Sequence, residues 1–457
     1  MTERNSNQPT GAQAQNWDNP LPGLGRIREA ARRDKRQRFT SLIHHITPGL
    51  LHLSFKKLKK NAATGVDDMT WTEYAKELAI RLTDLHERIQ KGTYKAHPSK
   101  RIYIPKEDGR KRPIGIASLE DKIVQGAVVQ ILEQIYEEEF LGFSYGFRPG
   151  RSPHNALDAI HVGIHRKRIN YILDADIRSF FDTIDHQWLE QFLEHRIADR
   201  RILRLIKKWL RAGVSEEGEW SPTKTGTPQG AVISPQLANI FLHYILDLWV
   251  QQWRKRYAKG DIIYVRWADD FVMGFQYQKE AKQFNGELRE RLKKFKLELH
   301  DGKTRIIEFG RFAERDRTNR NESKPETFDF LGFTHICGKT RKTGKFTIRR
   351  KPSRKRQRRV LKRIKKTLRT RINKPVLEQG KWLKIVIQGY LNYYAVPGTC
   401  EILSGLRKTV CQIWLKSLRR RSHKARKLTW QKAIRLFDTW IPKVKILHPY
   451  PNERLRV

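Results

Sequence analysis

Two apolar runs, Ile262-Ile-Tyr-Val265 and Phe271-Val-Met273, flank the segment Arg266-Trp-Ala-Asp-Asp270. Short apolar runs on either side of a turn predict a buried β-hairpin, with Asp269 and Asp270 at or near its turn. An isolated pair of adjacent aspartates usually marks a solvated turn. Carboxylates held against a buried hairpin repel one another, so their charged forms need a cation. Hard oxygen ligands suit Mg²⁺, which takes one or two protein carboxylates and fills its remaining positions with phosphate oxygens and water.

A second acidic segment is Tyr171-Ile-Leu-Asp-Ala-Asp-Ile-Arg-Ser-Phe-Phe-Asp182. Side chains alternate along a strand, so a strand over Tyr171–Asp176 puts Asp174 and Asp176 on one side. One acid there could guard a sheet edge, but two ask for another reason. If this strand lies beside the hairpin, one of the two joins Asp269 and Asp270. Three carboxylates then hold two cations roughly 3.5–4 Å apart, the arrangement used for in-line displacement at phosphorus.

Charge points to the partner. Lys and Arg number 93 against 48 Asp and Glu, a net charge of +45. Residues 341–457 hold 35 of those cations and only 4 of the acids. Such density repels itself unless a polyanion compensates it, and nucleic acid does so through its phosphates. Aromatic and aliphatic residues interleave with the charges, which argues against a merely solvated tail. No stretch reaches the roughly 20 apolar residues that span a bilayer, so an integral membrane protein is excluded. Cys337, Cys400 and Cys411 are far apart and form no CxxC pair. A disulfide framework and a zinc knuckle are therefore not expected, and a reducing, intracellular setting is.

Strand and helix patterns alternate as far as about residue 335, an α+β core. Residues 1–22 read as a polar, disordered leader. Helical periods cover Gly23 to about Leu53, Trp71 to Ile89 and Asp121 to Phe140. Arg101–Pro105 and Pro113–Ile116 read as two strands joined by a turn. After Gly344 the pattern is helical at 353–372, 406–418 and from Thr429, a candidate N-cap, to Trp440. This is a small bundle with one buried and one very basic side. The expected domains are residues 23–340 and 341–457.

The motifs resemble those of the reverse transcriptases encoded within group II introns, the intron maturases. Arg266-Trp-Ala-Asp-Asp270 looks like that family's Tyr-Ala-Asp-Asp box, and Asp176-Ile177 with Phe180-Phe-Asp182 like its first catalytic motif. Ile102 to Ile116 resembles its fingers motif, and Ser144-Tyr-Gly-Phe-Arg-Pro-Gly-Arg-Ser152 the following block. Thr225-Gly-Thr-Pro-Gln-Gly230 resembles the block that meets the incoming nucleotide. Leu297 with Lys303-Thr304, and Phe330-Leu-Gly-Phe333, resemble the last two. Gln388-Gly-Tyr-Leu-Asn-Tyr-Tyr394 resembles the signature of the maturase domain X.

The resemblance implies a right-hand polymerase, with fingers and palm followed by an α-helical thumb. It makes Asp176, Asp269 and Asp270 the catalytic metal ligands, with Ile177 beside them in the metal site. Lys106 and Arg112 can clamp phosphates. Phe181 would exclude a 2′-hydroxyl, although an aromatic there could equally be core, and Gln229 and Gly230 would meet the nucleotide. Trp267 stands where the family usually has Tyr, and is assigned with Arg148 and Lys303 to primer and template. RNA contacts are expected from Arg354, Lys355, Arg356, Arg358, Arg359, Arg419, Arg420 and Arg421. Tyr390 and Tyr393 could stack on RNA or form bundle core.

The implied function is RNA-directed DNA polymerisation with two Mg²⁺ ions, for which Mn²⁺ can substitute. Substrates would be dNTPs and an RNA template with a DNA or RNA primer. Partners would be the parent group II intron RNA, whose splicing and mobility it assists, and target DNA, with no membrane role. The expected location is cytoplasmic, nucleoid-associated when on DNA. Other readings are a splicing-only maturase, or a domesticated enzyme of phage defence or spacer acquisition. The sequence shows no His-Asn-His nuclease with its cysteine pairs, so homing endonuclease activity is not expected.

Overall fold

The computed structural model describes residues 19–105, 111–223, 225–340 and 342–455. Most of the leader, residues 1–18, therefore lies outside the described residues, as does Lys106. Leu21 and Pro22, expected in the leader, instead open the helix Leu21–Arg33. Proline suits that first turn, where its missing N–H has no partner to lose.

The strands among the described residues are, in chain order, β1 (Ser99–Pro105), β2 (Lys111–Ile116), β3 (Tyr171–Asp176), β4 (Val214–Glu216) and β5 (Glu219–Ser221). They continue with β6 (Ile262–Trp267), β7 (Asp270–Phe275), β8 (Arg305–Glu308), β9 (Phe328–Phe330), β10 (Phe333–Lys339) and β11 (Phe346–Pro352). The chain forms two compact units. One comprises residues 1–142, 177–251 and 291–298, and the other residues 143–176, 252–290 and 299–457.

The first unit carries a sheet of order β2-β1-β4-β5. Its central helix, Leu119–Tyr136, buries Ile123, Ala127, Ile131 and Ile135 completely, the stripe that its helical period predicts. The helical period from Gly23 to Leu53 is not one helix. It is broken into Leu21–Arg33 and Pro48–Lys57 by a segment pinned to a distant turn. Asp199 Oδ2 accepts the backbone N–H groups of Leu42 (2.6 Å) and Ile43 (2.9 Å), and Phe39 bridges Ile197. Thr47 then caps the second helix by accepting from Leu50 N. The period over 71–89 is likewise split, into Trp71–Lys76 and Leu78–Lys91.

The second unit holds an antiparallel sheet of order β6-β7-β3-β8 and a smaller one of order β11-β10-β9. Four long helices follow: Arg354–Thr370, Val376–Tyr394, Cys400–Arg419 and Trp430–Trp440. Thr429 caps the last, accepting from Lys432 N at 3.3 Å. One apolar core runs from Ile172, Val272 and Ile307 through Phe333 and Ile348 to Ile364, Leu391 and Trp414. The compositional boundary at residue 340 falls in the turn between β10 and β11, inside this unit. The charge changes there, but strand pairing carries across it. No helix among the described residues is long and apolar enough to cross a membrane.

A buried ion cluster ties the sheet, the helix Pro153–Arg166 and the chain's last described helix together. Asp158, 2% exposed, accepts from Arg350 Nη1 at 2.6 Å and faces Arg454 Nε at 3.3 Å. Removing one partner of a buried pair leaves an uncompensated charge. Asp158→Ala should therefore cost about 3–5 kcal/mol of stability, read from urea unfolding.

Candidate active site

The β6–β7 pairing places Trp267 opposite Asp270, which leaves Ala268 and Asp269 as a two-residue turn. Turns this tight favour positive φ, and Ala268 adopts φ +53 without being glycine. Its support comes from the side and from below. Arg266 is fully buried; its Nη1 donates to Ala268 O at 3.0 Å and its Nη2 to Ser144 Oγ at 2.7 Å. Backbone bonds join Arg266 N to Phe143 O and Tyr145 N to Arg266 O, both 2.9 Å. Gly146 lies so close that a Cβ there would overlap Ala268 N. The block starting at Ser144 is thus the bed of the aspartate turn.

Within the same sheet, β3 pairs with β7 so that Asp176 stands opposite Asp270. Asp174 and Asp176 share one side of β3, as alternation predicts, and line a cavity of about 320 Å³ with Asp270 and Asp329. Lys303, Arg305 and Lys355 supply cations to the same cavity. Lys303 Nζ pairs with Asp176, and Arg305 Nε lies 3.8 Å from Asp174 Oδ2. Desolvation, then repulsion from Asp269 and Asp176, pushes the Asp270 pKa up to about 7. Desolvation likewise raises Asp174 to about 6, against the pull of Arg305.

Among the described residues, no group of three or more His, Cys, Asp or Glu side chains is gathered into a metal cage. The register sets Asp176 opposite Asp270, with Asp269 one residue away in the turn. That pair still fits Mg²⁺, which asks the protein for few ligands and prefers oxygen. The raised Asp270 pKa is what crowded carboxylates show, and a divalent cation would relieve it.

The first unit holds a separate cleft of about 350 Å³. Phe180 is buried core, whereas the half-buried Phe181 lines this cleft with Tyr103, Asp182 and Gln229. The Thr225–Gly230 loop is laced down on both sides. Thr227 N donates to Phe181 O at 2.8 Å, and Gly115 N donates to Gln229 O at 2.7 Å. Gly230, at φ +112, approaches Gly115 so closely that a Cβ would sit 2.8 Å from its carbonyl oxygen. Asp182 Oδ1 accepts from Gln229 Nε2 at 3.1 Å, a contact that two separate motifs could not disclose. Arg112 is exposed on β2.

Several assigned residues have partners within the protein. Arg148 is 6% exposed and donates to Ser144 O at 2.8 Å, so it braces the bed of the turn. Lys303 meets a carboxylate, and Trp267 is half-buried with its ring 6.4 Å from that of Phe147. Tyr390 is buried, and the half-buried Tyr393 donates its hydroxyl to Leu331 O at 2.8 Å. Both rings belong to the core of the unit. Arg419 Nε donates to Leu428 O at 2.7 Å, holding a loop, and Arg421 is half-buried. Arg354, Lys355, Arg356, Arg358, Arg359 and Arg420 are exposed.

Comparison with known proteins bears on this geometry. Residues 104–335 match the family described as reverse transcriptase (RNA-dependent DNA polymerase). Protein YkfC of Escherichia coli K12 is 34% identical over an alignment covering 53% of this chain and 71% of that protein. The group II intron-encoded protein LtrA of Lactococcus lactis subsp. cremoris is 36% identical over 52% of this chain and 39% of its own length. A protein of the cob intron of Schizosaccharomyces pombe is 37% identical over 46% of this chain and 25% of its own. The chain thus spans well under half of these two intron-encoded relatives.

The bed beneath the turn can be tested by filling it. Gly146→Ala should cost about 1–3 kcal/mol in urea unfolding, because the added methyl drives into backbone that cannot yield. Gly142→Ala, which has open space around its Cβ, should leave the transition unmoved.

Proposed function

Because the chain belongs to the reverse transcriptase (RNA-dependent DNA polymerase) family, in its group II intron-encoded branch, we propose that its Asp176–Asp270 cavity copies RNA into cDNA. The carrying observation is the register that sets Asp176, at the end of β3, opposite Asp270, at the start of β7. Bound Mg²⁺ would lower the pKa of the attacking primer hydroxyl and neutralise charge on the transferring phosphoryl group. Asp176, Asp269 and Asp270 would hold it, with Ile177 next in the chain. Lys303, paired with Asp176, would turn to phosphate oxygens when cations take that carboxylate.

The cleft of the first unit would receive the incoming dNTP. Phe181 offers a ring edge against a 2′-hydroxyl, and Gln229, steadied by Asp182, offers a side-chain amide. Lys106 and Arg112 would clamp the phosphates by charge-assisted bonds. In the right-hand description, the sheet around β3 is the palm, the β1–β2 hairpin belongs to the fingers, and the C-terminal helices are thumb and domain X. The exposed basic side of Arg354–Thr370 would bind structured parent intron RNA through phosphates and 2′-hydroxyls, assisting splicing and mobility into target DNA. Retention of the three aspartates and the Thr-Pro-Gln-Gly block favours this over a splicing-only role.

Asp176→Ala, Asp269→Ala or Asp270→Ala should each abolish Mg²⁺-dependent cDNA synthesis on a primed RNA template, while RNA affinity changes only a few-fold. Full activity in Asp176→Ala would move the ligand to Asp174.

For RNA binding, Lys355 and Arg356 are best left alone, since one lines the acidic cavity and the other lies beside Tyr393 and Tyr394. Arg354, Arg358, Lys362, Lys365 and Arg369 form an exposed stripe at helical spacing. Replacing all five with Gln should weaken the intron RNA complex. The slope of log K against log salt should flatten by about 0.7–0.9 for each phosphate that is no longer neutralised. Primer extension on a short template should survive, and an unchanged salt slope would make the stripe a solvated face.

A further inference from the structure

The acidic cavity has a wall that none of the roles above uses. It is the two-residue turn between β9 and β10, where Phe330 pairs with Phe333 and Leu331 and Gly332 project. Phe330 and Leu331 line the cavity together with Asp176, Asp270 and Lys355. Leu331 adopts φ +48, in the left-handed region that a branched side chain rarely enters, and Gly332 follows at φ +79. A non-glycine residue persists in that region only when its surroundings hold it there.

Two hydrogen bonds hold it. Tyr393 donates its hydroxyl to Leu331 O at 2.8 Å. Ser353 N donates to Gly332 O at 3.0 Å, and Ser353 immediately precedes the helix whose second residue is Lys355. The Tyr394 hydroxyl lies within 2.8 Å of where a Cβ on Gly332 would sit, and the φ of +79 there favours glycine. Tyr393 and Tyr394 close the helix Val376–Tyr394, and their rings pack on Phe333, the residue just after the turn. The end of that helix is therefore built onto the wall of the cavity.

We propose that Tyr393 is a positioning residue for polymerisation. Its hydroxyl fixes the Leu331–Gly332 turn, and the turn aligns the nucleic-acid strand whose end reacts at Asp176 and Asp270. This rests on reading the cavity as the polymerase centre. A phosphodiester strand reaching those carboxylates meets Leu331 on one side and the Lys355 ammonium beside it. Without the hydroxyl, the strained turn loses the bond that holds its first carbonyl, and the strand end is presented less often in the reactive pose. Near-attack geometry is sensitive to shifts of this kind.

The test is Tyr393→Phe, which removes one oxygen and keeps the ring in its packing. Single-turnover addition of the first nucleotide is measured with primed RNA template and dNTP both saturating. The rate should fall roughly three- to ten-fold, the effect of losing one ordinary hydrogen bond. KM for dNTP and affinity for RNA should match the parent, and the melting temperature should fall by no more than about 2–4 °C, the cost of the one bond. A parental rate overturns the inference while leaving the polymerase reading intact, since the parent's own extension has then been observed. A rate and RNA affinity that fall together, with a melting temperature lowered well beyond the cost of one bond, also overturn it, because they mark Tyr393 as packing alone. A parent that extends no primer, under conditions where Asp176→Ala is equally silent, refutes the underlying reading instead.

Discussion

Arg266 carries a charge into the interior, and the placement of the aspartate turn depends on how that charge is satisfied. A buried guanidinium is costly unless it is hydrogen-bonded. Here it bonds the carbonyl of Ala268, two residues ahead in its own turn, and the hydroxyl of Ser144, 122 residues before it in the chain. The hairpin and the segment after Phe143 therefore fold as one object. Neither could shift without stranding a charge, so Asp269 and Asp270 are fixed where β6 turns into β7 before any ligand is considered. The neighbouring strand follows from register: β3 pairs along β7 to its last residue, which delivers Asp176 opposite Asp270.

This part of the molecule was legible in the sequence because it rests on local rules. The sequence pattern gave β3 with the ends that the structure shows, and period-two alternation put Asp174 and Asp176 on one side. The same reasoning fails where a distant partner decides. The periodicity from Gly23 to Leu53 contains nothing that announces a break, since the interruption is set by Asp199, whose carboxylate takes two backbone N–H groups more than 150 residues earlier. Arg148, Tyr390 and Tyr393 have side chains that suit nucleic acid equally well. Only tertiary structure shows that they already bond or pack within the protein. Phe180 and Phe181 are adjacent and identical in type, yet one is core and the other lines a cleft.

Composition misleads about domains for a related reason. The change in charge near residue 340 is real, but the covalent and hydrogen-bonded frame ignores it: β10 and β11 pair across it, and one apolar core continues from the sheet to the last helices. A basic exterior and a shared interior are compatible because charge is a property of the exposed positions. The buried ones, Val360, Ile364 and Leu368, keep the narrow stripe that the helix Arg354–Thr370 needs to dock.

The acidic cavity sits within a chain of net charge +45, and it is the place where folding and function pull apart. Asp270 keeps an exposed face at the start of β7, yet desolvation of its carboxyl group and two neighbouring carboxylates push its pKa up to about 7. Between the ordinary carboxylate range and that value, the folded chain keeps a proton that the unfolded chain has lost. Stability therefore falls as pH rises through this window. The cost is removed by whatever neutralises the carboxylates, and Lys303, which pairs directly with Asp176, offsets the rise at Asp270 only in part. A divalent cation competes with the Asp270 proton, so it should bind more tightly as the pH rises through that same window, and binding returns the stability that ionisation took. The desolvation and crowding that raise the Asp270 pKa are thus also what would draw a cation to this site.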